Sequence, residues 1–160
     1  MQAEIDSLVS NETFEYVSAN KAKGHKLLSS RWIFTTKPDG DNGVRYKARL
    51  VARGDRQREG IDFSEVYSPV VNAQTLRTLF AVAAINDYEL DQMDAVTAFL
   101  NAPLEEELYL RVPEGYPEQP VGTVLRLRKS LYGLKQAPRY WSETLNDWLV
   151  ANGLQQSQVD

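Results

Sequence analysis

The chain has 160 residues, 42% of them hydrophobic and 25% charged, with a formal net charge of -4, a length and balance that suit one soluble domain with its own core. No apolar run approaches the roughly 20 residues of a membrane span, and the absence of cysteine excludes a disulfide or thiolate-zinc framework. Met1 opens no basic-then-apolar leader, so an intracellular setting is expected. The mild acidity conceals two opposite stretches: residues 21–60 carry eleven Lys or Arg against four acids, and residues 61–120 carry two against eleven. The first could face phosphate and the second could hold cations, or both could be ordinary solvated surface.

Residues 3–17 read as a short helix and a turn into a strand over 13–17. Residues 31–36 and 45–52 are rich in β-branched and aromatic side chains, and the stretch 38–43 between them is dense in turn formers, which predicts a β-hairpin with a long loop. Over 74–86, Leu76, Leu79, Phe80 and Ala83 fall at helical spacing and predict an amphipathic helix. Residues 88–93 read as a strand that would present Asp94 at its C-terminal end. A second strand pair is expected over 108–112 and 124–127, linked by Pro113, Gly115, Pro117, Pro120 and Gly122. The final helix has Pro138 in its first turn, Trp141, Leu145, Trp148 and Leu149 on one face, and Gly153 placed for a C-cap.

Lys47 and Arg49 are two apart in a predicted strand and so share a face. They could offset a polyphosphate or guard a sheet edge. An isolated aspartate after a strand reads first as a cap or turn former, and Phe99 reads first as a core aromatic. Tyr140, Trp141 and Trp148 are expected in the core, the acidic run Glu105, Glu106 and Glu107 reads as a solvated loop, and His25 as surface.

Several ordered motifs change that balance. Lys47 to Gly54, then Gln57 to Asp62, then Tyr67 to Val71, are followed by Leu90 to Leu100 with Asp94, Asn101 with Leu104 to Tyr109, Pro113 to Tyr116, and Ser130 to Trp141. Their content and order resemble the copia-type retrotransposon reverse transcriptases over at least residues 31–153, and the ordered set is specific where each short motif alone is weak. Ala95 and Val96, Ala102 and Pro103, and Asp55 depart from residues common at those positions of the family. Tyr132 stands where retroviral relatives have Gln, so a Gln-specific contact is not carried over.

The resemblance implies an α+β right-hand polymerase fragment of antiparallel hairpins packed with helices. Residues 1–87 would be fingers-like, and 88–160 a partial palm with a fingers-like hairpin near 107–128. It implies RNA-directed DNA polymerisation on an RNA or DNA template-primer with dNTP, in a cytoplasmic particle or the nucleus. Two Mg²⁺ (or Mn²⁺) ions would stabilise the attacking and leaving oxygens. Asp94 matches the first catalytic, metal-binding carboxylate. Lys47, Arg49, Ala98, Phe99, Gly133 and Lys135 match nucleotide-binding positions, Phe99 lying beneath the incoming sugar, and Arg53, Arg56 and Arg58 are candidates for template phosphates.

No paired-aspartate motif is found before Asp160. The chain is therefore expected to end short of it, to hold its metal weakly, to expose palm surface that favours self-association, and not to polymerise by itself. The alternative is a truncated or repurposed module that binds nucleic acid or protein without catalysis.

Overall fold

The computed structural model describes residues 1–40, 43–117 and 119–157. It is a mixed α+β fold. In chain order the elements are α1 (Gln2–Ser10), β1 (Phe14–Ser18), β2 (Leu27–Leu28), β3 (Ser30–Pro38), β4 (Val44–Ala52), α2 (Ala73–Ile85), β5 (Tyr109–Arg111), β6 (Thr123–Leu127) and α3 (Ala137–Ala151), with 3-10 turns at Gly54–Arg56 and Ala98–Asn101. One sheet has the order β1-β6-β5-β2 and the other is the β3-β4 ribbon. The predicted hairpin forms with continuous antiparallel register from Ser30 opposite Ala52 to Pro38 opposite Val44. Asp41 and Asn42 of its predicted turn lie outside the described residues.

β5 and β6 pair antiparallel as expected. The sequence reading missed β2, which pairs parallel with β5 through Leu27 and Leu28, and it did not foresee that β1 runs antiparallel to β6. Both pairings join the first third of the chain to the last; a large cluster packs on one side of the sheet and a smaller one of Val17, Ala22, Tyr109 and Val124 forms apart from it. Leu8 of α1, Leu28, Leu50, Leu110, Leu125 and Leu131 are all essentially inaccessible and belong to the large cluster. Burying a leucine contributes about 1.5–3 kcal/mol relative to leaving it exposed, and these side chains come from both sheets, so the ribbon's base is fastened to the larger sheet by hydrophobic contact.

Two helices and one strand depart from expectation. α2 forms where predicted, with the Asn72 side chain accepting from the Gln74 amide at 2.8 Å as its N-cap, yet Leu76, Leu79 and Phe80 are exposed and only Ala83 is buried. On α3, Ala137 and Tyr140 are buried whereas Trp148 is 60% exposed, so Trp148 is not core and the helix is fully buried only in its first turn. The apolar stripe of α2 is left largely uncovered, whereas that of α3 is covered in part: Trp141 and Leu149 are half-buried, and Leu154, Gln155 and Gln156 border a groove with Leu145 and Leu149.

Residues 88–93 form no strand. A strand persists when its amides and carbonyls pair with a neighbour, and among the described residues no partner runs beside this segment. Tyr88, Leu90 and Met93 are exposed, Met93 by 90%. Asp94 accordingly sits in irregular, exposed chain rather than at a strand end.

Candidate functional site

The uninterrupted register of the ribbon divides its residues between two faces, because cross-strand partners point the same way and neighbours alternate. Arg31, Ile33, Thr35 and Lys37 of β3 share a face with Arg45, Lys47, Arg49 and Val51 of β4. Five of those eight side chains are cationic, and among the described residues none of the five forms an ion pair. The other face carries Trp32, Phe34, Tyr46, Ala48 and Leu50, without a charge. Leu50 and Ala52 are buried at the base, while Phe34 and Tyr46 are exposed towards the tip. Lys47 and Arg49 are half-buried, on the side that meets the loop before α3.

That meeting is made backbone to backbone. The Ala52 amide donates to the Tyr132 carbonyl at 2.7 Å. A Cβ on Gly54 would collide with the Gly133 carbonyl oxygen, and one on Gly133 would collide with the Ala52 carbonyl oxygen and come within 2.5 Å of Val51 Cγ1. Gly133 also has a φ of +89°, so both the close approach and the conformation require glycine. The approach sets the Tyr132 ring between two predicted site residues. Arg49 Cζ lies 5.6 Å from its centroid, and the Phe99 ring meets it edge-on at 5.1 Å. Arg49, Tyr132 and Phe99 thus form one column that links the ribbon to the 3-10 turn at Ala98–Asn101, within cation–π and aromatic contact range.

Half-buried Ala98 and Phe99 open that turn. Before it stands Thr97 with φ 53° and ψ 43°, a left-handed conformation unusual for a β-branched residue. Thr97 lines a groove together with Glu4 of α1 and Arg45, Tyr46, Lys47 and Ala48 of β4, so the turn borders that strand. Asp94 precedes Thr97 by three residues and is exposed. Among the described residues it belongs to no group of three or more His, Cys, Asp or Glu able to surround a metal ion.

Lys135 stands apart from the column: its Nζ lies 4.8 Å from the Phe63 ring centroid, and its amide donates to Gln57 Oε1 at 2.9 Å. Of the three arginines expected at template phosphates, Arg53 makes two 2.8 Å bonds to the Asp55 carboxylate and Arg58 is paired with buried Asp62 at 3.2 Å. Arg56 forms no ion pair among the described residues, and its carbonyl accepts from Lys26 Nζ. Bonding to Arg53 draws the Asp55 carboxyl down to about 2. Burial raises the pKa of Asp62, but its bonds to the Arg58 side chain and amide outweigh this and leave it lowered.

Two arrangements escaped the sequence reading. Gln57 and Gln136 are both buried; Gln57 Nε2 donates to Gln136 Oε1 at 3.0 Å, and Gln136 Nε2 donates to the Asp62 carbonyl at 3.1 Å. This pair bolts the segment after the ribbon to the start of α3, and a glutamine inside each of two ordered motifs was the available signal. The acidic run is also more than a solvated loop. Glu106 accepts from Tyr140 at 2.9 Å, and Glu107 accepts from Tyr109 at 2.7 Å while pairing with Arg126 at 3.4 Å. His25 lies 3.6 Å from Glu107 and against the Tyr109 ring.

A small α+β protein whose cationic ribbon is seated on an aromatic and glycine-bearing loop suits a ligand with both phosphate and a flat or ring-shaped part. Residues 11–160 match the family model described as reverse transcriptase (RNA-dependent DNA polymerase). The chain belongs to that family, as a copia-type member. It is similar to the retrovirus-related Pol polyprotein from transposon TNT 1-94 of Nicotiana tabacum, with 49% identity over 145 residues covering 88% of this chain and 11% of the relative. The corresponding polyproteins from transposons RE2 and RE1 of Arabidopsis thaliana are each 38% identical over 162 residues, covering all of this chain and 11% of the relative. The chain therefore spans about a tenth of the length of these curated relatives. No solved structure matches it.

Proposed function

We propose that the chain is the nucleotide- and template-facing part of a retrotransposon reverse transcriptase. The ribbon and the remainder of residues 1–87 would act as fingers and residues 88–160 as part of a palm, with the β5–β6 hairpin on the fingers side. The observation that carries this reading is the Arg49–Tyr132–Phe99 column beside Lys47. Lys47 and Arg49 provide one point charge and one bidentate donor for a triphosphate. Phe99, held edge-on by Tyr132, provides the apolar wall beneath a deoxyribose. Arg31, Lys37 and Arg45 extend the same charged face along the ribbon and suit the phosphates of a template strand, with Arg56 as the further candidate after the ribbon.

The Asp94 carboxylate is the hard oxygen donor this chain would offer to Mg²⁺ or Mn²⁺, and its exposure leaves it free to ligate. Such an ion, when bound, supplies Lewis-acid stabilisation of the reacting oxygens. One carboxylate provides only one or two of six octahedral ligands, so for this chain on its own we assign binding rather than turnover.

Titration with dATP at low salt tests the reading. Saturable binding is expected, weakened at least about tenfold by Arg49→Ala, the loss of roughly 1.4 kcal/mol expected for a charged contact. Indifference to both Lys47→Ala and Arg49→Ala would reject it. Primer extension abolished by Asp94→Ala would reject the assignment of binding without turnover.

A further inference from the structure

Tyr132 meets Phe99 edge-on, Phe99 also packs against the core, and Leu100 beside it is fully buried, which anchors the turn but leaves open what holds its first residue. The Thr97 carbonyl accepts from the Leu100 amide at 2.8 Å, and the Phe99 carbonyl from the Ala102 amide at 3.1 Å. These bonds close a tight turn, but they do not explain why a threonine tolerates a left-handed backbone at its start. The Asn101 side chain does. Its Nδ2 reaches back to the Val96 carbonyl at 3.1 Å and the Thr97 carbonyl at 3.3 Å, gripping the peptide groups on both sides of Thr97. A strained residue persists where its surroundings over-determine it, and here one carboxamide donates two bonds across the strained point.

We propose that Asn101 is a positioning residue for sugar discrimination: by clamping Thr97 in its left-handed conformation it fixes the direction in which Phe99 leaves the turn and so sets the ring against Tyr132. The role in discrimination rests on the reading of Phe99 as the wall beneath the incoming sugar. The clamp itself rests only on the geometry of residues 96–101. Asparagine is suited to the task because it brings an NH₂ donor on a short stem, whereas aspartate of the same shape would turn a carboxylate oxygen towards two carbonyls.

The test compares the 160-residue chain with Asn101→Asp, Thr97→Gly, and Thr97→Gly combined with Asn101→Ala. Cross-relaxation between the Phe99 and Tyr132 rings is measured by NMR, together with saturation-transfer binding of dATP against ATP. Asn101→Asp is expected to reduce the ring-to-ring signal several-fold and to bring the dATP preference towards one. The combined variant is expected to restore both, because glycine adopts the left-handed conformation without a clamp.

An unchanged ring signal in Asn101→Asp overturns the clamp. A double variant that is folded but does not recover the ring signal overturns the role given to Thr97. A lost ring signal with the dATP preference intact overturns the link to sugar choice. If the chain binds neither nucleotide, the reading of the site fails instead, and the ring measurement still decides the clamp.

Discussion

Replacing Gly133 by alanine drives a methyl group into the Ala52 carbonyl and to within 2.5 Å of Val51 Cγ1, at a backbone φ of +89°. Two costs can be separated by companion variants. Gly122 has a similar φ of +83° but open space around it, so Gly122→Ala reports the conformational cost alone, about 1–2 kcal/mol. Gly54 lacks a positive φ but would meet the Gly133 carbonyl, so Gly54→Ala reports the collision alone, about 1–3 kcal/mol by analogy with overpacked cores. Gly133→Ala combines the two and is expected to cost about 3 kcal/mol, which shifts a urea midpoint by about 1.5 M when the slope is near 2 kcal/mol per molar. Gly54→Ala together with Gly133→Ala should cost less than the sum, because one backbone shift relieves both contacts. A Gly133→Ala midpoint no lower than that of Gly122→Ala would refute the argument that backbone contact seats the ribbon on the Tyr132 loop.

Asp55 has its pKa lowered from 3.8 to about 2, chiefly by its bonds to Arg53, so the stabilisation from this pair is fully present above pH 3.8 and lost as pH falls through about 2. An NMR titration of the Asp55 carboxyl should show the low midpoint, and Arg53→Ala should return it towards 3.8; equal midpoints would contradict the pairing. Glu12 and Asp87 sit at φ 50° and 54° just after α1 and α2, where the following amides, of Thr13 and Tyr88, close the helix ends onto the Leu8 and Ala83 carbonyls. Glu12→Gly and Asp87→Gly should each stabilise by about 0.5–1 kcal/mol, as relief of the left-handed strain outweighs glycine's entropy, and a lowered melting temperature would count against this. The bare faces of α2 predict self-association that rises with concentration and is reduced by Leu79→Glu or Phe80→Ser; sedimentation showing an unchanged distribution would remove α2 from the contact.

Much of the fold is legible because its signals are local. The ribbon follows from β-branched and aromatic runs around a dense turn, and α2 from an apolar stripe at helical spacing. Residues 88–93 carry a strand composition too, but a strand also needs a neighbour, and no local pattern reports whether one is alongside. The same limit explains Leu79, Phe80 and Trp148, whose spacing marks a face without saying that anything covers it. At the candidate site, Lys47, Arg49, Phe99 and Gly133 are marked by motifs, whereas the meeting of Arg49 and Phe99 on the Tyr132 ring depends on contacts between positions far apart in the chain. The arginines at 53 and 58 are candidates for template phosphates by sequence, yet their carboxylate partners Asp55 and Asp62 both lie within four residues. Glu107 and Tyr109, two apart at the start of β5, likewise offered a sign of the hydrogen bond that a count of acids conceals.

The central claim, that the ribbon's charged face and the Tyr132–Phe99 pair form one nucleotide site, is tested most directly by mapping NMR shift changes as dATP is added to the chain. The account predicts that signals of Lys47, Arg49, Phe99 and Tyr132 move together along a single binding curve. Changes confined to α2 or the second half of α3, or separate curves for the ribbon and for Phe99, would contradict it.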